Sequence, residues 1–253
     1  MVERDGILIE RSGGDILVVA CDSAGGIGGS PGDTIKAPPS LVGSLTARVA
    51  LAEVLSLGAR PLACSVTACF APGPDLEEMI RGVRRELHTI ALDQLPMVVS
   101  SEKNIPVGQT GVGITVVGSF AESGHAFRRS EGGEILCALG RPSVGEEVLN
   151  RQDEIADLFD LVQIHSLDYT GEIVPVGSGG VFQEALGIAR RSRLKIRFQE
   201  RPRYSLYQSA GPATVVLFSS AEPIERLQAL LRKPLWRVGL LEDYEGGTRT
   251  AEA

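Results

Sequence analysis

The chain has 253 residues, 25 Lys+Arg against 32 Asp+Glu, a formal net charge of -7, and 43% hydrophobic residues. That apolar share supports a sizeable core and excludes global disorder. The acidic balance excludes a general nucleic-acid binder, which needs a basic footprint to neutralise phosphates, but it admits a phosphorylated ligand whose charge Mg²⁺ offsets.

Ile7–Glu10 and Ile16–Cys21 are short aliphatic runs joined by Arg11-Ser-Gly-Gly-Asp15, which reads as a hairpin. The following stretch, Asp22 to Asp33, is too rich in glycine for a regular element and reads as a loop. Ser40 or Ser44 can cap a helix that runs to about Leu57 and stops at Gly58. Leu62–Phe70 reads as a strand and Asp75–Ala91 as an amphipathic helix. Met97–Ser100 reads as a short buried strand and Gly111–Phe120 as an alternating one.

Between Ser119 and Gly133 the chain turns polar, which marks a domain boundary. The second half reads as strand Glu134–Leu139, helix Gly145–His165, strand Ile173–Val176 and a helix from Gly177-Ser-Gly-Gly180 through Arg191. Strands Lys195–Phe198 and Thr214–Ser219, helix Glu222–Leu231 and strand Trp236–Leu241 complete it. The class is α+β or α/β in two halves, a domain over 1–122, a second over 132–243, and a frayed tail at 244–253.

The four cysteines, Cys21, Cys64, Cys69 and Cys137, form no CxxC, and His88, His125 and His165 lie far apart, so no zinc spacing is present. The thiols read as buried or partly buried in a reducing cytoplasm. Met1–Gly6 has no apolar signal region, and every apolar stretch breaks well short of the ~18 residues that span a bilayer. No membrane partner and a cytoplasmic location are expected.

Three carboxylates stand out. Asp22 sits at a strand end, at the mouth of the Gly-rich loop, where glycines let backbone approach a ligand closely. Its alternative is a turn Asp bonded to its own backbone. Glu53 lies on a helix that is almost wholly apolar from Val49 to Leu57. If inward it must be paired or metal-bound, but the period favours the narrow solvent face. Glu102 follows a strand in a loop with Ser100, Ser101 and Asn104, where a ligand-mouth role and an exposed loop role are balanced. Gln109 and Thr110 precede the next strand and could touch a ligand. Gly177–Gly180 before a helix could cradle an anion, and the basic run Arg190 to Arg203 reads as a solvated face.

The order and wording of these segments carry a resemblance. Asp22-Ser-Ala-Gly-Gly, Leu51-Ala-Glu-Val-Leu-Ser-Leu-Gly-Ala-Arg-Pro61, Ser100-Ser-Glu-Lys-Asn104 and Gly111-Val-Gly-Ile-Thr-Val-Val-Gly118 resemble the aminoimidazole ribonucleotide synthase-like (PurM-like) superfamily. Its helix reads close to NDLAAMGARP, with Glu53 where the Asp stands, and its second loop close to GGDTT, with Glu102 on the Asp. Val174-Pro-Val-Gly-Ser-Gly-Gly-Val-Phe-Gln-Glu-Ala-Leu186 is similar to its DISDGGLAxxL, and Ser209-Ala-Gly-Pro-Ala-Thr214 to its SGGPxE.

The resemblance implies an α+β PurM-like architecture whose N-terminal domains pair across a homodimer into a β-barrel, with ATP bound there. It implies Mg²⁺ held by Asp22, Glu53 and Glu102, phosphates met by Lys36 and Arg48, and Asp33 as base or metal ligand. Asp22, Asp33 and Lys36 are the catalytic residues so implied, and Gly25, Gly26, Gln109 and Thr110 join Lys36 and Arg48 in nucleotide binding. Cys21-Asp-Ser-Ala-Gly-Gly-Ile-Gly28, Gly32-Asp-Thr-Ile-Lys-Ala-Pro38, Thr46–Leu51 and Gln109-Thr-Gly-Val-Gly-Ile-Thr-Val116 look most like the α-ribazole kinase branch. That branch phosphorylates the 5′-hydroxyl of α-ribazole in assembly of the cobalamin lower ligand. A thiamine-phosphate-kinase-like enzyme and a nucleotide-binding dimer without turnover are the alternatives. Here two of three ligands are Glu, few residues precede Asp22, and Pro175 and Ser178 replace both Asp of DISDGG.

Overall fold

A computed structural model describes residues 2–3, 6–11, 14–70, 73–121 and 128–244. The chain divides into two compact units. One holds Met1–Phe127, Val144–Gln152 and Asp157–Ser166; the other holds Arg128–Ser143, Asp153–Ala156 and Leu167–Ala253. The sequence-based division differs here, because most of 144–166 returns to the first unit. His125 and the tail after Tyr244 lie outside the described residues.

In chain order the first unit carries β1 (Val2–Glu3), β2 (Gly6–Glu10), β3 (Asp15–Gly25), β4 (Ile27–Gly28), β5 (Ile35–Lys36), α1 (Pro39–Ser56), β6 (Arg60–Ala68), α2 (Pro74–Thr89), β7 (Met97–Ser101) and β8 (Gly111–Ala121). Helices α3 (Glu146–Asn150) and α4 (Leu158–His165) complete it. Six strands form one sheet in the order β1-β2-β3-β8-β6-β7. Every pairing is antiparallel except β6 with β7.

Helix α1 lies on this sheet against β3, β6 and β8, and α2 and α4 pack onto α1. It is therefore buried on several sides at once, from Val42 through Ala47, Leu51 and Val54. Burial of this kind leaves no wide polar face. The helices approach closely because two glycines permit it: a Cβ on Gly43 would lie 2.2 Å from the Met79 carbonyl oxygen, and one on Gly82 1.8 Å from that of Ser40. Pro38, not a serine, precedes the first turn. Ser40 and Ser44 instead donate to Glu78 (2.9 Å) and Glu86 (2.5 Å) on α2.

Three more sequence expectations are corrected. Strand β3 continues through Asp22 to Gly25, where the glycines suggested a loop; Gly25 and Ser23 pair with Gly111 and Gly113, so crowding is low on both strands. Strand β7 is an exposed edge rather than a buried strand, with Val98 65% exposed. The single helix expected over 145–165 is two, because Asp157 starts α4 with a reciprocal capping box to Asp160.

The second unit contains β9 (Ile135–Leu139), β10 (Thr170–Pro175), α5 (Gly180–Arg191), β11 (Lys195–Phe198), β12 (Val216–Ser220), α6 (Ile224–Gln228) and β13 (Leu235–Glu242). Its five-stranded sheet has the order β10-β12-β9-β13-β11, antiparallel throughout. Leu136, Val174, Ile188, Leu217 and Trp236 belong to its core. Among the described residues no helix is long and apolar enough to cross a membrane.

Candidate functional site

The glycine-rich segment after β3 folds back on the residues that precede β8. Strands β4 and β5 pair in parallel over two residues each. Ser30-Pro-Gly-Asp33 forms the turn between them, with the Asp33 N–H donating to the Ser30 carbonyl. Gly28 has φ +151°, and a Cβ there would lie 2.5 Å from the Thr110 hydroxyl oxygen. Gly32 would likewise meet the Gly108 carbonyl at 2.6 Å. Only glycine fits at these two close approaches.

Asp33 is buried at the centre of this fold-back. Its Oδ1 accepts from the Thr110 N–H (2.7 Å), and its Oδ2 from the Thr110 hydroxyl (2.7 Å) and the Ser30 N–H (2.8 Å). Burial alone would raise this carboxyl, but those hydrogen bonds and the Lys36 charge outweigh it and hold it below the usual carboxylate range. Lys36 donates to the carbonyls of Ser30 (2.6 Å) and Pro31 (3.3 Å). Gln109 donates to the Gly32 carbonyl (2.7 Å), and Gly26 N–H to that of Thr110 (2.9 Å). The structure thus brings together Gly26, Asp33, Lys36, Gln109 and Thr110, beside Gly25 at the end of β3. It also recruits Ser30, which sequence reasoning missed; the Ser-Pro-Gly-Asp turn was the available signal.

The carboxylates behave differently. Asp22 lies within β3, directly opposite Ile114 on β8. Ile114 is buried under the helices, and directly opposed residues share a face, so Asp22 points to the helix-covered side. Burial pushes its carboxyl up to about 6, against a smaller opposing hydrogen bond from the Ser23 backbone. Such a carboxylate lacks compensating charge and suits a cation. Glu53 is buried, which corrects the expected solvent-facing placement; α1 has no solvent face wide enough to hold it there. Glu102 turns on its own loop, where its Oε1 accepts from the backbone of Asn104 (2.6 Å) and Ile105 (3.1 Å), lowering its pKa.

These three do not converge. Among the described residues, no group of three or more His, Cys, Asp or Glu side chains could hold a metal ion. The three-carboxylate cage expected from Asp22, Glu53 and Glu102 is therefore not assembled by the described residues. Mg²⁺ does not require one, since it is usually held by one or two carboxylates together with phosphate oxygens and water.

Arg48 is committed elsewhere. Its Nη2 meets Glu86 Oε1 at 2.8 Å and its Nε meets Oε2 at 3.3 Å, joining α1 to α2. In the second unit most of the basic run is exposed, as read from sequence, but Arg191 contacts the buried Glu172 at 2.6 Å. Cys64 and Cys137 are buried and Cys21 and Cys69 exposed, all as free thiols.

Residues 4–119 match the family described as AIR synthase related protein, N-terminal domain. No curated protein matches the chain. Among solved structures, thiamine monophosphate kinase (ThiL) from Aquifex aeolicus is similar with a TM-score of 0.64 and 18% identity, over 95% of this chain and 89% of that one. AaThiL complexed with AMPPCP and TMP gives 0.58 and 18%, over 94% and 84%. The hydrogenase maturation protein HypE in complex with ATP gives 0.64 and 16%, over 93% and 78%. The chain carries the mixed α/β fold of these proteins, and the match to the AIR synthase related N-terminal domain falls within its first unit.

Proposed function

We propose that the protein transfers a phosphoryl group from Mg·ATP to a small nucleoside-like acceptor. The foremost candidate is α-ribazole, converted to α-ribazole 5′-phosphate in cobalamin lower-ligand assembly. The observation that carries this reading is the family match over 4–119, which contains Asp22 on β3 and, beyond the end of that strand, the folded cluster of Gly26, Asp33, Lys36 and Thr110. Structural likeness to kinases and to a protein solved with ATP supports it.

Phosphoryl transfer asks the protein for positioning and charge neutralisation more than covalent chemistry. In this reading Asp22 supplies the principal carboxylate to Mg²⁺, and the buried Glu53 acts from α1 without joining Asp22 and Glu102 in one cage. Glu102 enters only if its loop rearranges when nucleotide binds. Bound Mg²⁺ supplies positive charge against the phosphates. Lys36, Gly25, Gly26 and Gln109 line the phosphate side, while Arg48 stays with Glu86.

The protein acts as a homodimer in this reading. Ile7, Val19 and Val117 lie in one row across β2, β3 and β8, with Ile9 and Leu17 beside them, on the sheet face opposite α1. Ile7 and Ile9 are 48% and 46% exposed. An apolar face of this kind fits pairing with a second copy. A cytoplasmic location accompanies this function.

A second reading has an observation of its own. The AaThiL structure carries TMP, and this chain shares its fold, so thiamine monophosphate is the competing acceptor. ADP release from Mg·ATP, measured with α-ribazole, with thiamine monophosphate and with neither, separates the two. ADP formed only with α-ribazole supports the first; ADP formed only with the thiamine compound replaces it. Nucleotide binding without ADP from any acceptor contradicts both.

A further inference from the structure

Two glycine-bearing loops, residues 26–36 and 103–110, lie side by side, and one buried carboxylate ties them. Asp33 belongs to the first loop and accepts both the backbone N–H and the hydroxyl of Thr110 at the end of the second. It also accepts the Ser30 N–H, closing its own turn. The Thr110 and Ser30 hydroxyls lie 3.0 Å apart and complete the cluster. Both Asp33 oxygens are therefore occupied by donors fixed in the fold, which leaves Asp33 poorly placed to accept a substrate proton. Near this knot two glycines leave the space over their Cα atoms open. No heavy atom lies within 4 Å of the position a Cβ would take on Gly25 or on Gly108.

We infer that Asp33 is a positioning residue: it locks the two loops into one preformed wall whose open backbone at Gly25 and Gly108 receives the phosphates of a nucleoside triphosphate. The assignment rests on the nucleotide-binding reading above and adds how the site is preorganised. Glycine-rich loops lose much conformational entropy on ordering. A charge-assisted lock meets that cost at folding, so it is not charged against nucleotide affinity. Asp33→Asn presents an N–H where Ser30 N–H or Thr110 N–H needs an acceptor, so one of the three bonds is lost.

The test is calorimetric binding of Mg·AMPPCP, with kcat and KM for ATP, on the full chain and on Asp33→Asn, Thr110→Val and Thr110→Ser. Thr110→Ser keeps the hydroxyl and Thr110→Val removes it, so this pair decides the matter even if Asp33→Asn fails to fold. Expected are an affinity loss of about tenfold or more for Asp33→Asn and Thr110→Val, near-normal affinity for Thr110→Ser, and kcat at saturating ATP within a few-fold of wild type. Unchanged affinity with abolished kcat would overturn the assignment and make Asp33 the base. Unchanged affinity and kcat in both weakened variants would overturn it too. If the wild-type chain binds no Mg·AMPPCP, the nucleotide-binding reading itself falls, and this assignment with it.

Discussion

Removing Arg48 separates a structural cation from a phosphate-binding one. Arg48 is 14% exposed at its side chain and Glu86 5%, and they share two contacts of 2.8 and 3.3 Å. Glu86 also accepts the Ser44 hydroxyl at 2.5 Å. Arg48→Ala leaves that carboxylate buried with a hydroxyl as its remaining partner among these three groups. Breaking a buried pair by deleting one partner typically costs about 3–5 kcal/mol. The surviving Ser44 bond places the expectation near the lower end, about 3 kcal/mol, consistent with the asymmetry between lost and unsatisfied groups.

The assay is urea unfolding followed by circular dichroism on wild type, Arg48→Ala, Glu86→Gln and the double variant. The double variant should recover part of the loss, giving a coupling of at least about 1 kcal/mol. An Arg48→Ala protein that loses less than about 0.5 kcal/mol, the range of ordinary surface changes, would refute this reasoning. It would do so decisively if the same variant lost affinity for Mg·ATP.

Other perturbations probe the fold and the site. Gly82→Ala places a Cβ 1.8 Å from the Ser40 carbonyl oxygen, so α1 and α2 must separate by roughly 1.5 Å to restore contact distance, at a cost of about 1–3 kcal/mol or more in the unfolding free energy measured by urea titration. A neutral result contradicts the close helix contact. Asp22 binds its proton more tightly in the folded state, with its carboxyl up at about 6 against the ordinary 3.8. The stability it contributes is present at low pH and lost as pH rises from about 4 through about 6. Asp22→Asn should therefore gain in Tm relative to wild type across that window, measured without Mg²⁺, and a gap that does not change with pH would count against the burial argument. Glu53→Gln should keep the Tm close to wild type while lowering Mg²⁺-dependent turnover about 10- to 100-fold. Normal turnover removes Glu53 from the site.

The legible parts of this chain were those written in local periodicity. Helix α2, with its amphipathic spacing, and the alternating β8 fall within a residue or two of where the sequence puts them. Helix α1 was found but misread in orientation, since a helix packed on several sides has no period to show which way Glu53 faces. Strand β3 ran past its expected end because glycines that discourage a strand on their own are tolerated when the opposing strand also offers Gly111 and Gly113. The break between α3 and α4 carried no Gly or Pro, only the quieter Asp157–Asp160 box.

At the site, the partners that fix each charged side chain were not legible in the sequence. Asp33 and Thr110 stand 77 residues apart, and nothing local joins them. Arg48 and Glu86 are separated by 38 residues and met only through two glycine contacts between helices. Non-local pairings of this kind decide whether a charged side chain is structural or free for a ligand.

The most direct measurement follows the label from Mg·[γ-³²P]ATP in the presence of α-ribazole and purified chain. The result expected is label on the organic acceptor at the 5′ position, with one ADP formed per phosphate transferred and none without Mg²⁺. Label recovered only in ATP, or only as inorganic phosphate, would contradict phosphoryl transfer to this acceptor.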